Sequence, residues 1–137
     1  MKRYYIDTNC LLSYITDRNT SQQNRIAPYF HGASRLKHKI ILTQNVITEF
    51  VYVCTSIYKI ESAKVREMIL DFVHTPGMEM DHSFPTTVFF HLWPEYIEDY
   101  GDAVLAASVQ TAKGALLTFD RKLKDSCAKL NIPAGDL

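Results

Sequence analysis

Three short apolar runs, each too brief to be a helix, constrain this chain more than any other feature. Tyr4-Tyr5-Ile6 closes on Asp7, Lys39-Ile40-Ile41-Leu42-Thr43 sits between polar flanks, and Ala115-Leu116-Leu117-Thr118-Phe119 closes on Asp120. Runs without polar alternation belong to strands covered on both faces, the pattern of a parallel sheet. Helical periodicity fills the intervals between them, so the predicted architecture is a three-layer α/β/α sandwich with a mainly parallel central sheet. In such a sheet ligands gather beyond the carboxyl ends of the strands, which puts Asp7 and Asp120 at one rim. At 137 residues, without a linker, repeat or low-complexity tract, the expectation is a single domain over residues 1–137.

Between the runs, helices are predicted over Cys10 to Asp17, Val46 to about Tyr58, Glu61 to His74, Pro85 to Leu92, Asp102 to Lys113 and Arg121 to Leu130. A further helix over Gln22 to Lys37 contains Pro28 and Gly32, which predict a break into two pieces. Gly114 is the expected C-terminal stop after Lys113. Met78 to Asp81 reads as a short strand and Ile132 to Leu137 as an edge strand. The aromatic segment Phe84 to Tyr100 reads as core, with some of it available for a protein contact.

The bulk properties remove several classes of function. The longest apolar runs, such as Ala103 to Ala107, fall far short of the roughly 20 residues that cross a bilayer. Asp7 and Asn9 interrupt any signal-peptide core, so a cytoplasmic location is expected. Cys10, Cys54 and Cys127 form no C-x-x-C pair, which fits reduced, buried thiols rather than a zinc site. The five histidines have no metal-ligand spacing and read as structural. Lys plus Arg (15) equals Asp plus Glu (15), so net charge selects no polyanionic partner.

Four acids stand where folding does not ask for them. Asp7 and Asp120 end strands, Asp102 opens a helix, and Glu49 sits among Val46, Ile47, Phe50, Val51 and Val53, where burial without a partner is costly. Gathered without cations, carboxylates repel and raise one another's pKa, so a cluster of them calls for a bound cation. A hard divalent ion such as Mg²⁺, bound to oxygens at about 2.0–2.1 Å while keeping several waters, suits the cluster and phosphodiester chemistry. The structural alternative stays open: Asp7, Asp99 and Asp120 as helix caps and Asp102 as a first-turn acid in a non-catalytic interaction module. A phosphohydrolase with Asp7 as nucleophile is disfavoured by Thr8-Asn9, which offers no second Asp two positions on.

In order, Tyr5-Ile6-Asp7-Thr8-Asn9 with Leu11-Leu12, Thr48-Glu49-Phe50, Asp102-Ala103-Val104-Leu105-Ala106-Ala107 and Leu117-Thr118-Phe119-Asp120 resemble the PIN-domain family of metal-dependent ribonucleases. Within it the chain is most similar to the VapC-type toxins of toxin–antitoxin pairs, and the likeness spans nearly the whole length. The resemblance implies an endoribonuclease using Mg²⁺ or Mn²⁺, with Asp7, Glu49, Asp102 and Asp120 as metal ligands. It also implies that Asn9 and Thr118 orient those acids and that Asp99 assists them. An RNA substrate, an antitoxin that occupies the active-site groove and a homodimer are the implied partners. A housekeeping RNA-processing nuclease is the alternative within the family. Lys2, Arg3, Lys113, Arg121, Lys122, Lys124 and Lys129 form either a cationic rim for phosphates or ordinary solvated faces.

Overall fold

The computed structural model describes every residue from Met1 to Leu137. In chain order the elements are β1 (Arg3–Ile6), α1 (Thr8–Ile15), α2 (Thr20–Ser34), β2 (Lys39–Thr43), α3 (Gln44–Tyr52), α4 (Ser62–His74), β3 (Met78–Asp81), α5 (Thr86–Leu92), α6 (Tyr100–Ala112), β4 (Ala115–Leu117) and α7 (Arg121–Lys129). A π-helical turn, Val53–Ile57, continues α3. The four strands form one sheet in the order β3-β2-β1-β4, and every pair is parallel.

Burial along the strands shows that the sheet is covered on both sides. Ile40, Ile41 and Leu42 are all buried although successive side chains point to opposite faces, and Leu116 and Leu117 repeat the pattern. The central layer therefore lies between helices, as the continuous apolar runs predict. The chain steps outward from β1 to β3, then returns to the other side of β1 as β4. That reversal leaves a crevice beyond the carboxyl ends of β1 and β4, the usual ligand position in an open parallel sheet. Ile6 pairs with Leu117 at the last rung, so the residues that follow each strand emerge side by side.

Several boundaries depart from the sequence expectation. Helix α2 is continuous through Pro28, which lies on its exposed side, as does Asn24 one turn before it. Gly32 does not break the helix either; a side chain there would collide with the His38 imidazole. Helix α6 begins at Tyr100, which puts Asp102 inside its first turn. The left-handed residue that ends α6 is Lys113, at φ 55°, and not Gly114. Gly114 is needed for a different reason: a Cβ there would lie 2.7 Å from the Arg3 carbonyl oxygen. Instead of an edge strand, Ile132 to Leu137 contributes one bridge, Leu116 to Ala134, because Pro133 has no N–H with which to extend a ladder. The aromatic segment divides, with Phe89 and Leu92 buried while Phe84, Phe90, Tyr96 and Tyr100 are exposed. All three cysteines are free and buried. No helix is long and apolar enough to cross a membrane.

Candidate active site

Asp7 is the first residue beyond β1, and its backbone N–H donates to the Leu117 carbonyl at 2.9 Å, so the strand ladder itself fixes its place. Extended backbone makes it the N-cap of α1. Its two carboxylate oxygens are held separately: Oδ1 accepts from Thr8 N–H at 2.7 Å and Oδ2 from the Thr118 hydroxyl at 2.8 Å. Burial pushes the Asp7 pKa up, those two hydrogen bonds oppose the rise, and the charges of Glu49 and Asp120 add to it.

Thr118 does two jobs with one hydroxyl. It donates to Asp7 and accepts from the Asp120 backbone N–H at 3.0 Å, so the proton it directs at Asp7 has a fixed orientation. Asp120 in turn caps α7, with Oδ1 accepting from Leu123 N–H at 3.2 Å. The registration of β1 with β4 thus delivers Asp7, Thr118 and Asp120 together.

Glu49 reaches the group from α3, but not as its sequence neighbours suggest. Val46, Ile47 and Phe50 are buried, whereas Glu49 is exposed, because the helical turn carries it out of the apolar face. The expected buried, unpaired acid is corrected accordingly. What tethers Glu49 is Thr8, whose hydroxyl donates to Oε2 at 3.0 Å. The sequence gives Thr8 no role of its own, and a hydroxyl directly after an acid at a strand end is the signal that could have marked it. Asn45 Nδ2 donates to the Gly101 carbonyl at 3.1 Å and ties the start of α3 to the start of α6.

Asp102 lies half-buried in the first turn of α6, behind Asp99, which caps the helix by accepting from Asp102 N–H at 2.9 Å. Burial, then the charges of Asp7, Asp99, Asp120 and Glu49, push the Asp102 carboxyl up to about 7. Asp102 thus lies within range of the charges of these four acids. Asn9 stands apart: it is exposed and engaged through its carbonyl, which accepts from Arg18 Nη2 at 3.0 Å.

None of these acids has a cationic partner. The ion pairs of the molecule are Arg3 and Lys39 with Glu79, near the amino ends of the strands, and Lys64 with Glu67 on α4. In kind, the donor set fits a hard divalent cation: anionic, all oxygen and uncompensated. In spacing it is open, since no three His, Cys, Asp or Glu side chains are gathered tightly enough to hold an ion between them. Capping and ligation are compatible here, because a carboxylate that spends one lone pair on a helix N–H keeps others free.

Two cavities flank the acids. One, of about 440 Å³, is lined by Glu95, Glu98, Asp99 and Asp102 with a single cation, Lys122. The other, of about 350 Å³, is lined by Gln22, Arg25, Phe119, Arg121, Lys124, Asp125 and Leu137. A separate apolar cleft between α1, α2 and α4 contains none of the clustered acids.

Residues 4–129 match the family model of the PIN domain. Among solved structures, the fold resembles VapBC2 from Rickettsia felis bound to a DNA fragment from their promoter. The TM-score is 0.68 at 16% identity, covering 97% of this chain and 97% of that one. It also resembles FitAcB from Neisseria gonorrhoeae, with a TM-score of 0.67 at 9% identity over 97% and 96% of the two chains. No curated protein matches the chain in sequence.

Proposed function

Because the chain belongs to the PIN domain family, we propose that it is a metal-dependent endoribonuclease, the toxin of a toxin–antitoxin pair, that hydrolyses RNA phosphodiester bonds. The observation that carries the reading is the hydrogen-bonded series that links Asp120, Thr118, Asp7, Thr8 and Glu49 beyond β1 and β4, with Asp102 close enough to feel their charges and no ion pair to any of the acids. Folding alone gives no return for that repulsion, whereas a site that binds a cation does.

When bound, Mg²⁺ or Mn²⁺ supplies an acidified water and neutralises charge on the phosphate. The protein's own contribution is orientation. Thr118 and Thr8 N–H set the plane of the Asp7 carboxylate, Thr8 Oγ1 holds Glu49 against solvent, and Asp120 is fixed by the turn of α7 that it caps. Such supporting hydrogen bonds commonly contribute about 10–100-fold in metal affinity or activity. Asp99, exposed and engaged in capping, assists through its charge.

The toxin assignment is supported by likeness to nearly the full length of a chain in the VapBC2 and FitAcB structures. It brings with it an antitoxin partner, a cytoplasmic location and a homodimer, for which exposed Phe84, Phe90, Tyr96 and Tyr100 offer aromatic surface. The test is cleavage of RNA by purified protein with Mn²⁺. Wild type is expected to cut and Asp7→Asn to be inactive. Equal cleavage by the two proteins would mean a contaminating nuclease and refute the proposal.

A further inference from the structure

We infer that the cavity between α2 and α7 is a nucleotide subsite, in which the Arg25–Phe119 pair stacks a base next to the scissile phosphate while Arg121 and Lys124 hold the adjoining phosphate. The inference rests on the RNA-cleaving reading above and adds where the strand lies and what grips it.

Position comes first. Phe119 stands in the chain between Thr118, which donates to Asp7, and Asp120, so a ring in this cavity is one residue from the acid cluster on either side. Arg121 and Lys124 belong to the first turn of the helix that Asp120 caps.

Chemistry comes second. The Arg25 guanidinium carbon lies 5.3 Å from the centroid of the half-buried Phe119 ring, which makes a two-layer cation–π platform. Unpaired bases stack on aromatic rings and on guanidinium planes, largely without regard to sequence. Arg25 and Arg121 are exposed, and neither takes part in an ion pair of the molecule. Their donors are therefore available to phosphate oxygens.

The direction of the strand follows from the asymmetry of the two cavities. On the Asp102 side four acids face one lysine, which repels a polyanion. On the α2/α7 side Arg25, Arg121 and Lys124 face Asp125 and the Leu137 carbonyl, which accepts one hydrogen bond from Lys124 Nζ at 2.7 Å and leaves the ammonium two further donors. A strand whose scissile phosphate lies over Asp7 and Asp120 thus has one favourable exit. At about 350 Å³ this cavity is in the range that accepts a small ligand, and one nucleotide fits the mixture of ring, cation and amide that lines it.

The experiment is fluorescence anisotropy with a labelled single-stranded RNA oligonucleotide, in Mg²⁺, on the Asp7→Asn protein so that the probe is not cut. Adding Phe119→Leu, which retains apolar volume and removes the π face, should weaken binding about tenfold, while Phe119→Tyr should bind as the parent does. Arg25→Ala and Arg121→Ala should each weaken binding and lower the salt dependence by about 0.7 in log–log slope per lost phosphate contact. Phe119→Leu should leave that slope unchanged. Melting temperatures within a few degrees of the parent establish that the variants are folded. If the parent binds RNA and Phe119→Leu and Arg25→Ala bind equally well, the subsite is overturned while RNA recognition stands. Absence of RNA binding by the parent overturns both. Unchanged RNA affinity together with arginine-dependent binding of a poly-glutamate peptide would give the cavity to an acidic protein partner, and likewise overturns the subsite.

Discussion

Replacing Asp102 with asparagine should stabilise the protein in the absence of divalent ions, and only above mildly acidic pH. Asp102 titrates near 3.8 in an unfolded chain and at about 7 in the fold. A carboxyl raised in this way binds its proton more tightly when folded. Its contribution is complete below the unfolded pKa and is lost as pH climbs from about 4 to about 7. Each pH unit in that interval corresponds to about 1.4 kcal/mol, which would total about 4 kcal/mol for a fully buried group. Asp102 is only half-buried, so solvent screening reduces the penalty to roughly 1–2 kcal/mol. Its place in the first turn of α6, where the helix dipole favours an anion, returns about 0.3–1 kcal/mol. A net gain of about 1 kcal/mol remains for Asp102→Asn at pH 8, or about 3–5 °C in Tm for a domain of this size. Thermal melts of both proteins in EDTA at pH 4 and pH 8 measure it. The two curves should coincide near pH 4 and separate at pH 8 with the variant higher. Saturating Mn²⁺ at pH 8 should reverse the order, because the ion stabilises only the protein that binds it well. The reasoning fails if the variant is the less stable protein at pH 8 without metal, or if the gap is the same at both pH values.

Two further predictions concern residues outside the acid set. Thr118→Val removes the donor to Asp7 Oδ2 and the acceptor for Asp120 N–H, so cleavage rate and Mn²⁺ affinity should fall about 10–100-fold while Thr118→Ser retains most of both; kinetics and calorimetry decide. Gly114→Ala drives a Cβ to 2.7 Å from the Arg3 carbonyl oxygen, a backbone atom that cannot step aside. Denaturant melts should show a loss of about 2–3 kcal/mol, and a loss under 1 kcal/mol would mean that β1 shifts to accommodate the methyl.

What was readable in advance followed from signals that survive without coordinates. Unbroken apolar runs marked β1, β2 and β4, and an acid ending two of them put Asp7 and Asp120 at one rim. Glu49 was assigned to its helix, yet its surroundings were misjudged, because Val46, Ile47 and Phe50 define the buried face and Glu49 falls just beyond its edge, where the side chain reaches solvent. Thr118 could be tied to Asp7 only through a family likeness, since their hydrogen bond spans 111 positions and depends on β1 and β4 lying next to each other. The stop at Lys113 went unread because a left-handed residue is expected to be glycine, whereas Gly114 answers a steric demand from β1. The Arg25–Phe119 contact joins two elements far apart in the chain, and no local pattern announces it.

The pairing of β1 with β4 also governs when the acid cluster can assemble. Asp7 is made 111 positions before Thr118, which with Asp120 lies in the connection from β4 to α7. At about 5–20 residues per second, translation separates them by on the order of ten seconds. Glu49 and Asp102 are added during that interval, yet Asp7 still lacks the Thr118 hydroxyl that orients it. The cluster is complete only when β4 has docked beside β1, so the last strand to be made is the one that assembles the site.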